Sequence, residues 1–304
     1  MRTLGFDTSN YTTSAAVFDG DSFLSARKLL PVKEGERGLR QSDALFHHVR
    51  QLPEVLDRLG GIDKIDAVGV STRPRSVEGS YMPVFLAGIS FAKTAASVAG
   101  VPLFEFSHQD GHIMAGIYSS GAFSLLAKSF LSVHLSGGTT EILKTEFTGN
   151  GFSCKIVGGT KDISAGQVID RTGVALGMKF PCGREMDELC GSVDKSEKFP
   201  VSVSGGYFNF SGLEAKAGKS LAGAAEISRG VFNAVADTLV SAVDFCMKEE
   251  RAENVLFVGG VASNSVIRKR VKDSFGESAF FASREMSTDN ACGIALLADC
   301  CLRK

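Results

Sequence analysis

Two histidines, His108 and His112, stand four residues apart in the stretch FSHQDGHIMAG. On a helix that spacing is one turn along one face, about 6 Å of rise. Both rings can then converge on one divalent cation. The spacing alone suits a partly exposed surface pair just as well. Three turns elsewhere carry a second kind of chemistry. The first, GFDTSNYTTSAAV, ends a strand at Asp7 and follows it with hydroxyls. Backbone N–H groups and hydroxyls in such a turn bind phosphate oxygens, while the carboxylate orients a hydrated Mg²⁺. The second, HLSGGTTEIL, offers Gly137 and Gly138, where a backbone can approach a phosphate closely. The third, FVGGVASNSVIRK, runs a strand into Gly259-Gly260 and then a helix capped near Ser263. That favours an anion or a sugar at the helix N-terminus. Each turn taken singly also suits a plain hairpin.

The elements that must position these residues follow from periodicity. Strands are expected over residues 3–7, 13–18 and 22–29, with a turn at 8–11. A helix over 41–59 carries Leu45, Val49, Leu52, Val55, Leu56 and Leu59, which places His47 and His48 on its surface. A strand at 67–71, a helix at 81–99 and a strand at 101–106 complete an α/β half, and the HQDGH helix follows. The pattern then restarts with strands at 130–135, 140–144 and 152–157. Helices are expected near 164–177, 183–191, 212–221 and 226–250, then a strand at 255–258, a helix from Ser263, a strand at 279–282 and a last helix from Thr288. A strand–turn–strand hairpin thus occurs twice, at 3–18 and 130–144. The economical reading is an α/β fold of two duplicated lobes around a cleft. The expected division is 1–106 for the first lobe, with the helix over 289–304 packing back on it. The second lobe is then 107–288, with a helical insertion at 160–225.

Composition sets limits on partners. With 304 residues, 44% hydrophobic and 22% charged, the chain can bury a large core. Net charge is −1, so a nucleic-acid partner must use a local patch or a second protein. Candidate patches are Arg73-Pro74-Arg75 and Arg268-Lys269-Arg270, which also suit solvated faces. The first residues lack an apolar h-region, so no signal peptide is expected. The apolar stretch 82–100 contains Lys93 and reads as a buried helix or partner interface rather than a membrane span. Seven cysteines without a CxxC pair argue for reduced thiols in a cytoplasm.

The order of these loops resembles the actin, sugar-kinase and heat-shock-chaperone ATPase superfamily. There, two hairpin loops grip phosphates and a later Gly-Gly segment holds the nucleoside. Within it, HQDGH is similar to the hallmark of the tRNA threonylcarbamoyladenosine transferase family. The resemblance runs nearly end to end, through LGFDTS, LSGGTTEI, DISAGQVIDRTGVALGMKFPCG, FNFSGL, VGGVASN and STDNACGIA.

That resemblance implies an actin-like ATPase fold and a metal site of His108, His112 and Asp289. Asp289 in Thr288-Asp289 also suits a helix N-cap, and the two roles are compatible. It implies that His134, Leu135, Ser136, Gly137 and Gly138 line the phosphate or carbamoyl region. Asp170 and Gly183 would contact a sugar, Asn264 the nucleoside end, and Asp7 would act in catalysis with the His pair. The implied cofactor is one divalent metal, iron or zinc, with ATP and Mg²⁺ as a further ligand. The implied reaction moves a threonylcarbamoyl group from threonylcarbamoyl-AMP to the adenine beside the anticodon of tRNA. It runs with partner proteins and without a membrane. An open two-His-one-carboxylate site suits that chemistry, because a Lewis acid polarises the carbamoyl oxygen. Several positions depart from the family pattern: Asp7 for Glu, Tyr11 and Thr12 for an acidic pair, Thr139 for His, Cys182 for Gly and Glu214 for Lys. They keep two alternatives open. One is a paralogous carbamoyl- or nucleotide-using enzyme with another acceptor; the other is a non-catalytic nucleotide-binding partner of a true transferase.

Overall fold

Thr3–Asp7 forms β1, and all five of its residues are buried. A strand buried throughout must be paired on both edges and covered on both faces. β2 (Thr12–Phe18) runs antiparallel to it, with Thr3 opposite Phe18 and Asp7 opposite Ser14. β3 (Phe23–Leu29) continues the meander against β2. After α1 (Gln41–Asp57), β4 (Ala67–Arg73) pairs parallel with the other edge of β1. After α2 (Phe85–Ala99), β5 (Leu103–Ser107) pairs parallel with β4. The sheet order is therefore β3-β2-β1-β4-β5. α3 (His108–Ser120) begins at the residue after β5. This computed structural model describes residues 1–9, 11–31, 39–286 and 290–304.

α1 departs from its expected face. His48 is fully buried rather than on the surface, while Val49 is exposed. The cause is a polar partner on the sheet. Thr13 Oγ1 lies 2.8 Å from His48 Nδ1 and donates to Gln51 Oε1 at 2.9 Å, and Gln51 Nε2 donates to the Leu29 carbonyl. A satisfied polar network is as good a reason for burial as an apolar side chain.

The second sheet repeats the first. β6 (Phe130–Leu135) and β7 (Thr140–Phe147) pair antiparallel, with Leu135 opposite Thr140. β8 (Phe152–Thr160) lies beside β7. α4 (Ala165–Ala175), α5 (Gly183–Cys190), the short strands β9 (Val203–Ser204) and β10 (Tyr207–Phe208), and α6 (Ser211–Ala217) follow. Next come α7 (Ala224–Glu250), β11 (Val255–Val258), α8 (Ser265–Phe275) and β12 (Ala279–Phe281). β11 pairs parallel with β6, and β12 parallel with β11. The order is β12-β11-β6-β7-β8-β10-β9, so β8-β7-β6-β11-β12 reproduces β3-β2-β1-β4-β5. The strands β9 and β10 have only two residues each, too short to leave a periodic signal. α7 is long and apolar enough to cross a membrane, but 61% of its apolar window is buried inside the protein, as in a core helix.

The last helix, α9 (Ala291–Leu302), packs on β1 and β4. Gly5 and Gly69 make this contact possible. A Cβ at Gly69 would lie 2.8 Å from the Ile294 carbonyl oxygen, and one at Gly5 would collide with the Ala291 carbonyl. Thr3 Oγ1 donates to the Ala295 carbonyl at 2.8 Å.

Two units result. One comprises Met1–Tyr118, Phe147–Ser153 and Glu285–Lys304, and the other Ser119–Glu146 and Cys154–Arg284. The HQDGH segment falls in the first unit. Asp110 accounts for the placement. Its carboxylate accepts from Ser107 N, Ser76 Oγ and Phe152 N, while Asp110 N donates to Ser107 Oγ. The reciprocal Ser107–Asp110 bonds form a cap that starts α3.

Candidate functional site

The His pair lies in the first turns of α3. His108 Nε2 and His112 Nε2 are 3.0 Å apart, and the rings meet edge to face with centroids 4.4 Å apart. His108 Nδ1 faces Asp7 Oδ2 at 2.9 Å. Asp7 closes β1, is 2% exposed, and is fully engaged: Oδ1 accepts from Ser9 N and Ser9 Oγ, and Oδ2 from Asn290 Nδ2 at 2.7 Å. Burial would raise the Asp7 carboxyl. The His108 ring beside it, and hydrogen bonds from His108 and Ser9, outweigh burial and hold it well below the usual carboxylate range. An ionised carboxylate only accepts, so His108 Nδ1 donates to Asp7 Oδ2, and Nε2 faces His112 Nε2 and, at 3.3 Å, Ser9 Oγ. Asp7 is thus placed to orient His108, and has little freedom to orient the hydrated Mg²⁺ that its strand-end position suggested.

The two Nε2 atoms fit a metal. Metal–nitrogen bonds of about 2.0–2.1 Å put two nitrogens roughly 2.8–3.0 Å apart at 90° and roughly 3.3–3.4 Å apart at the tetrahedral angle of zinc, a span of roughly 2.8–3.4 Å. The 3.0 Å separation lies in that range. Among the described residues, no cluster of three His, Cys, Asp or Glu side chains has the arrangement of a metal cage. Asp289, the third ligand that the sequence suggests, lies outside the described residues. Its neighbour Asn290 makes the contact with Asp7. Sequence reasoning missed Asn290 and Ser9 as parts of this site. Their only signal was position, one in STDN and one after Asp7.

The second hairpin is built differently. Ser136 N donates to the Thr139 carbonyl, and Thr139 N donates to Ser136 Oγ, which closes the SGGT turn. Ser164 caps α4 and its hydroxyl donates to the Gly137 carbonyl at 2.7 Å, so the DISAG segment props the turn from below. Gly137 and Gly138 are exposed, with open space where a Cβ would be. His134 is partly buried on β6, whereas Leu135 is wholly buried in the core. The Leu135 side chain therefore cannot line a ligand site, and the open part of the turn is Ser136–Gly138.

The remaining predicted residues belong to the second unit as well. Asp170 on α4 accepts from Cys182 N at 2.8 Å, just ahead of Gly183, the first residue of α5. Burial pushes its carboxyl up, and the backbone N–H groups of Cys182 and Gly183 partly oppose that. Asn264 caps α8, its Oδ1 accepting from Ile267 N at 2.9 Å. The chain reaches Asn264 through Gly259, whose φ of +96° and contact with the Leu135 carbonyl leave no room for a side chain. Asp162 accepts from Ile163 N, Phe210 N and Ser211 N, which ties the DISAG and FNFSG segments together. Glu214 pairs with Arg171 at 3.2 Å beside a cavity of about 290 Å³ between α4 and α6.

A profile of the family described as TsaD, tRNA N6-adenosine threonylcarbamoyltransferase, matches residues 35–296. The chain is 30% identical over 320 residues to the tRNA N6-adenosine threonylcarbamoyltransferase of Moorella thermoacetica, covering 97% of this chain and 90% of that protein. Among solved structures, the ROK hexokinase of Thermus thermophilus aligns over 100% of both chains at a TM-score of 0.56 and 14% identity. Full-length HypF in its phosphate- and nucleotide-bound form aligns with 100% of this chain and 56% of its own, at a TM-score of 0.64 and 13% identity. The fold is therefore the actin-like ATPase fold. The chain belongs to the tRNA N6-adenosine threonylcarbamoyltransferase family of transferases.

Proposed function

We propose that this protein transfers a threonylcarbamoyl group from threonylcarbamoyl-AMP to the adenine beside the anticodon of tRNA, and that it uses a divalent metal, iron or zinc, to do so. The observation that carries the metal half is the approach of His108 Nε2 and His112 Nε2 to 3.0 Å, with His108 Nδ1 held by Asp7. His108 and His112 would hold the ion with Asp289. Bound there, it would supply Lewis-acid polarisation of the carbamoyl oxygen. Asp7 keeps the His108 proton on Nδ1. The exposed backbone of Gly137 and Gly138, with Ser136 beside it, receives the phosphate, and open space surrounds both glycines. Asp170 and the start of α5 at Gly183 bind the sugar hydroxyls, and Asn264 sits at the nucleoside end. The adenine N6 amine displaces AMP from the carbamoyl carbon, so no covalent enzyme intermediate is required. ATP with Mg²⁺ is a second ligand of the same loops, in keeping with the nucleotide-bound form of HypF. The reaction takes place in the cytoplasm with partner proteins. The seven cysteines include no CxxC pair, which suits such a compartment.

Mass spectrometry of tRNA nucleosides tests this directly. Protein, threonylcarbamoyl-AMP, tRNA and candidate partners should yield threonylcarbamoyladenosine. Unmodified tRNA under conditions where the Moorella thermoacetica relative modifies it would overturn the proposal. The second reading, a related enzyme with another acceptor, draws on Tyr11, which is 43% exposed where the family carries acid, and on the Glu214–Arg171 pair. Consumption of the activated donor without tRNA modification would favour it.

A further inference from the structure

We propose that Asn290 is a positioning residue for His108, and that position 111 is glycine because a larger residue would displace the Asn290 amide. The proposal rests on reading His108 and His112 as a metal pair. Asn290 directly precedes α9 and is 3% exposed. Its Nδ2 lies 2.7 Å from Asp7 Oδ2, 3.0 Å from the His108 carbonyl oxygen and 2.8 Å from His108 Nδ1. One amide N–H donates to the carboxylate and the other to the backbone of the residue that bears the ring. Both partners of the Nδ1–Oδ2 bond are thereby fixed at once. Asp7 Oδ1 is taken by Ser9, so Oδ2 serves two donors, the amide and the ring. Nδ2 also lies within hydrogen-bond distance of the ring itself, 2.8 Å from Nδ1. Asn290 Oδ1 is buried without a hydrogen-bond partner, so the amide is held entirely from its donor side.

Gly111 supplies the second observation. A Cβ there would lie 2.5 Å from Asn290 Oδ1 and 2.6 Å from Nδ2. Glycine inside a helix is less favourable than alanine. In HQDGH that cost is offset by a place for the amide next to the ring. Orienting partners of metal-ligating histidines set ring tautomer and ligand basicity, and their loss costs about 10–100-fold in metal affinity.

The test compares wild type with Asn290→Ala, Gly111→Ala and the double variant, in two measurements. Nitrogen-15 NMR of the metal-free protein at mildly alkaline pH reads the His108 tautomer, assigned with His108→Gln. Titration with zinc alone reads metal affinity. Wild type should show the proton on Nδ1. Asn290→Ala should lose that single tautomer and bind zinc about 10–100-fold more weakly. Gly111→Ala should do the same, but should add nothing to Asn290→Ala, because the space it needs is already vacated. Thr3→Val, which removes the bond to Ala295 and loosens α9 away from the ring, should leave both readouts at wild type. An Asn290→Ala protein with wild-type tautomer and zinc affinity overturns the proposal. So do full additivity in the double variant, or an equal effect of Thr3→Val. If wild type itself binds no zinc, the metal reading fails, and the tautomer measurement alone decides the role of Asn290.

Discussion

The hairpin β1–β2 and the hairpin β6–β7 occupy the same place in two copies of one topology, yet their turns do opposite things. In the first, Thr8 and Ser9 are turned inward. Thr8 bonds to the Val84 carbonyl and to Gly88 N, Ser9 bonds to Asp7, and Asp7 holds His108. The second is turned outward, with Ser136 and Thr139 closing the turn and two exposed glycines at its tip. A duplicated turn can therefore keep its backbone plan while one copy ties into a neighbouring bond network and the other stays open. Asp7, where the family usually carries Glu, belongs to the supporting turn. Gly137 and Gly138 belong to the open one.

The largest effect should come from the group that the inward turn supports. His108→Ala should abolish iron or zinc binding and transferase activity together, read by metal analysis and by tRNA nucleoside mass spectrometry. Activity retained at wild-type level would break the comparison, because the first turn would then support nothing that reacts. Asp7→Asn keeps the shape but turns an acceptor into a partial donor. Activity and zinc affinity should fall about 10–100-fold, as for other loss of an orienting carboxylate. Gly138→Ala tests the outward turn. Its Cβ would meet nothing within 4 Å, so stability should stay within about 0.5 kcal/mol of wild type. Nucleotide affinity should fall about tenfold, or about 1.4 kcal/mol, by calorimetry. An equal loss of stability and affinity would show that this turn is structural like the first.

Much of this was legible in the residues. The buried runs of β1 and β6, the two hairpins and the i,i+4 histidines are local patterns, and each is where periodicity places it. The resemblance extended that to the actin-like ATPase fold. What escaped depends on contacts between distant parts of the chain. His48 is buried because Thr13, 35 residues earlier, bonds to it. Asn290 touches Asp7 across 283 residues of sequence. The resemblance implies Leu135 in a ligand-lining segment, but alternation along β6 turns its side chain into the core. No spacing rule encodes such pairings, since they follow from how strands and helices are stacked.

Two smaller effects sharpen the picture around the second turn. Slight burial would raise the Asp162 carboxyl, but bonds from Ser211, Phe210 and Ile163 hold it well below the ordinary value of 3.8. Its stabilising contribution is therefore present above that value and fades as the pH falls through the lowered one. Asp162→Asn should cost about 1 kcal/mol at neutral pH, a modest figure because the carboxylate is exposed, and should flatten the acid limb of urea-unfolding stability. An unchanged pH dependence would remove Asp162 as the tie between the DISAG and FNFSG segments. Glu214→Lys, which restores the residue usual in the family, breaks an exposed pair with Arg171. Stability should move by less than about 1 kcal/mol in thermal unfolding.

The central claim is that the inward turn exists to hold a metal-binding imidazole. Metal analysis of the natively purified protein tests it most directly. The account predicts about one iron or zinc per chain, and none in His108→Ala. Wild-type protein that carries no metal, and takes up neither iron nor zinc when they are added, would contradict it.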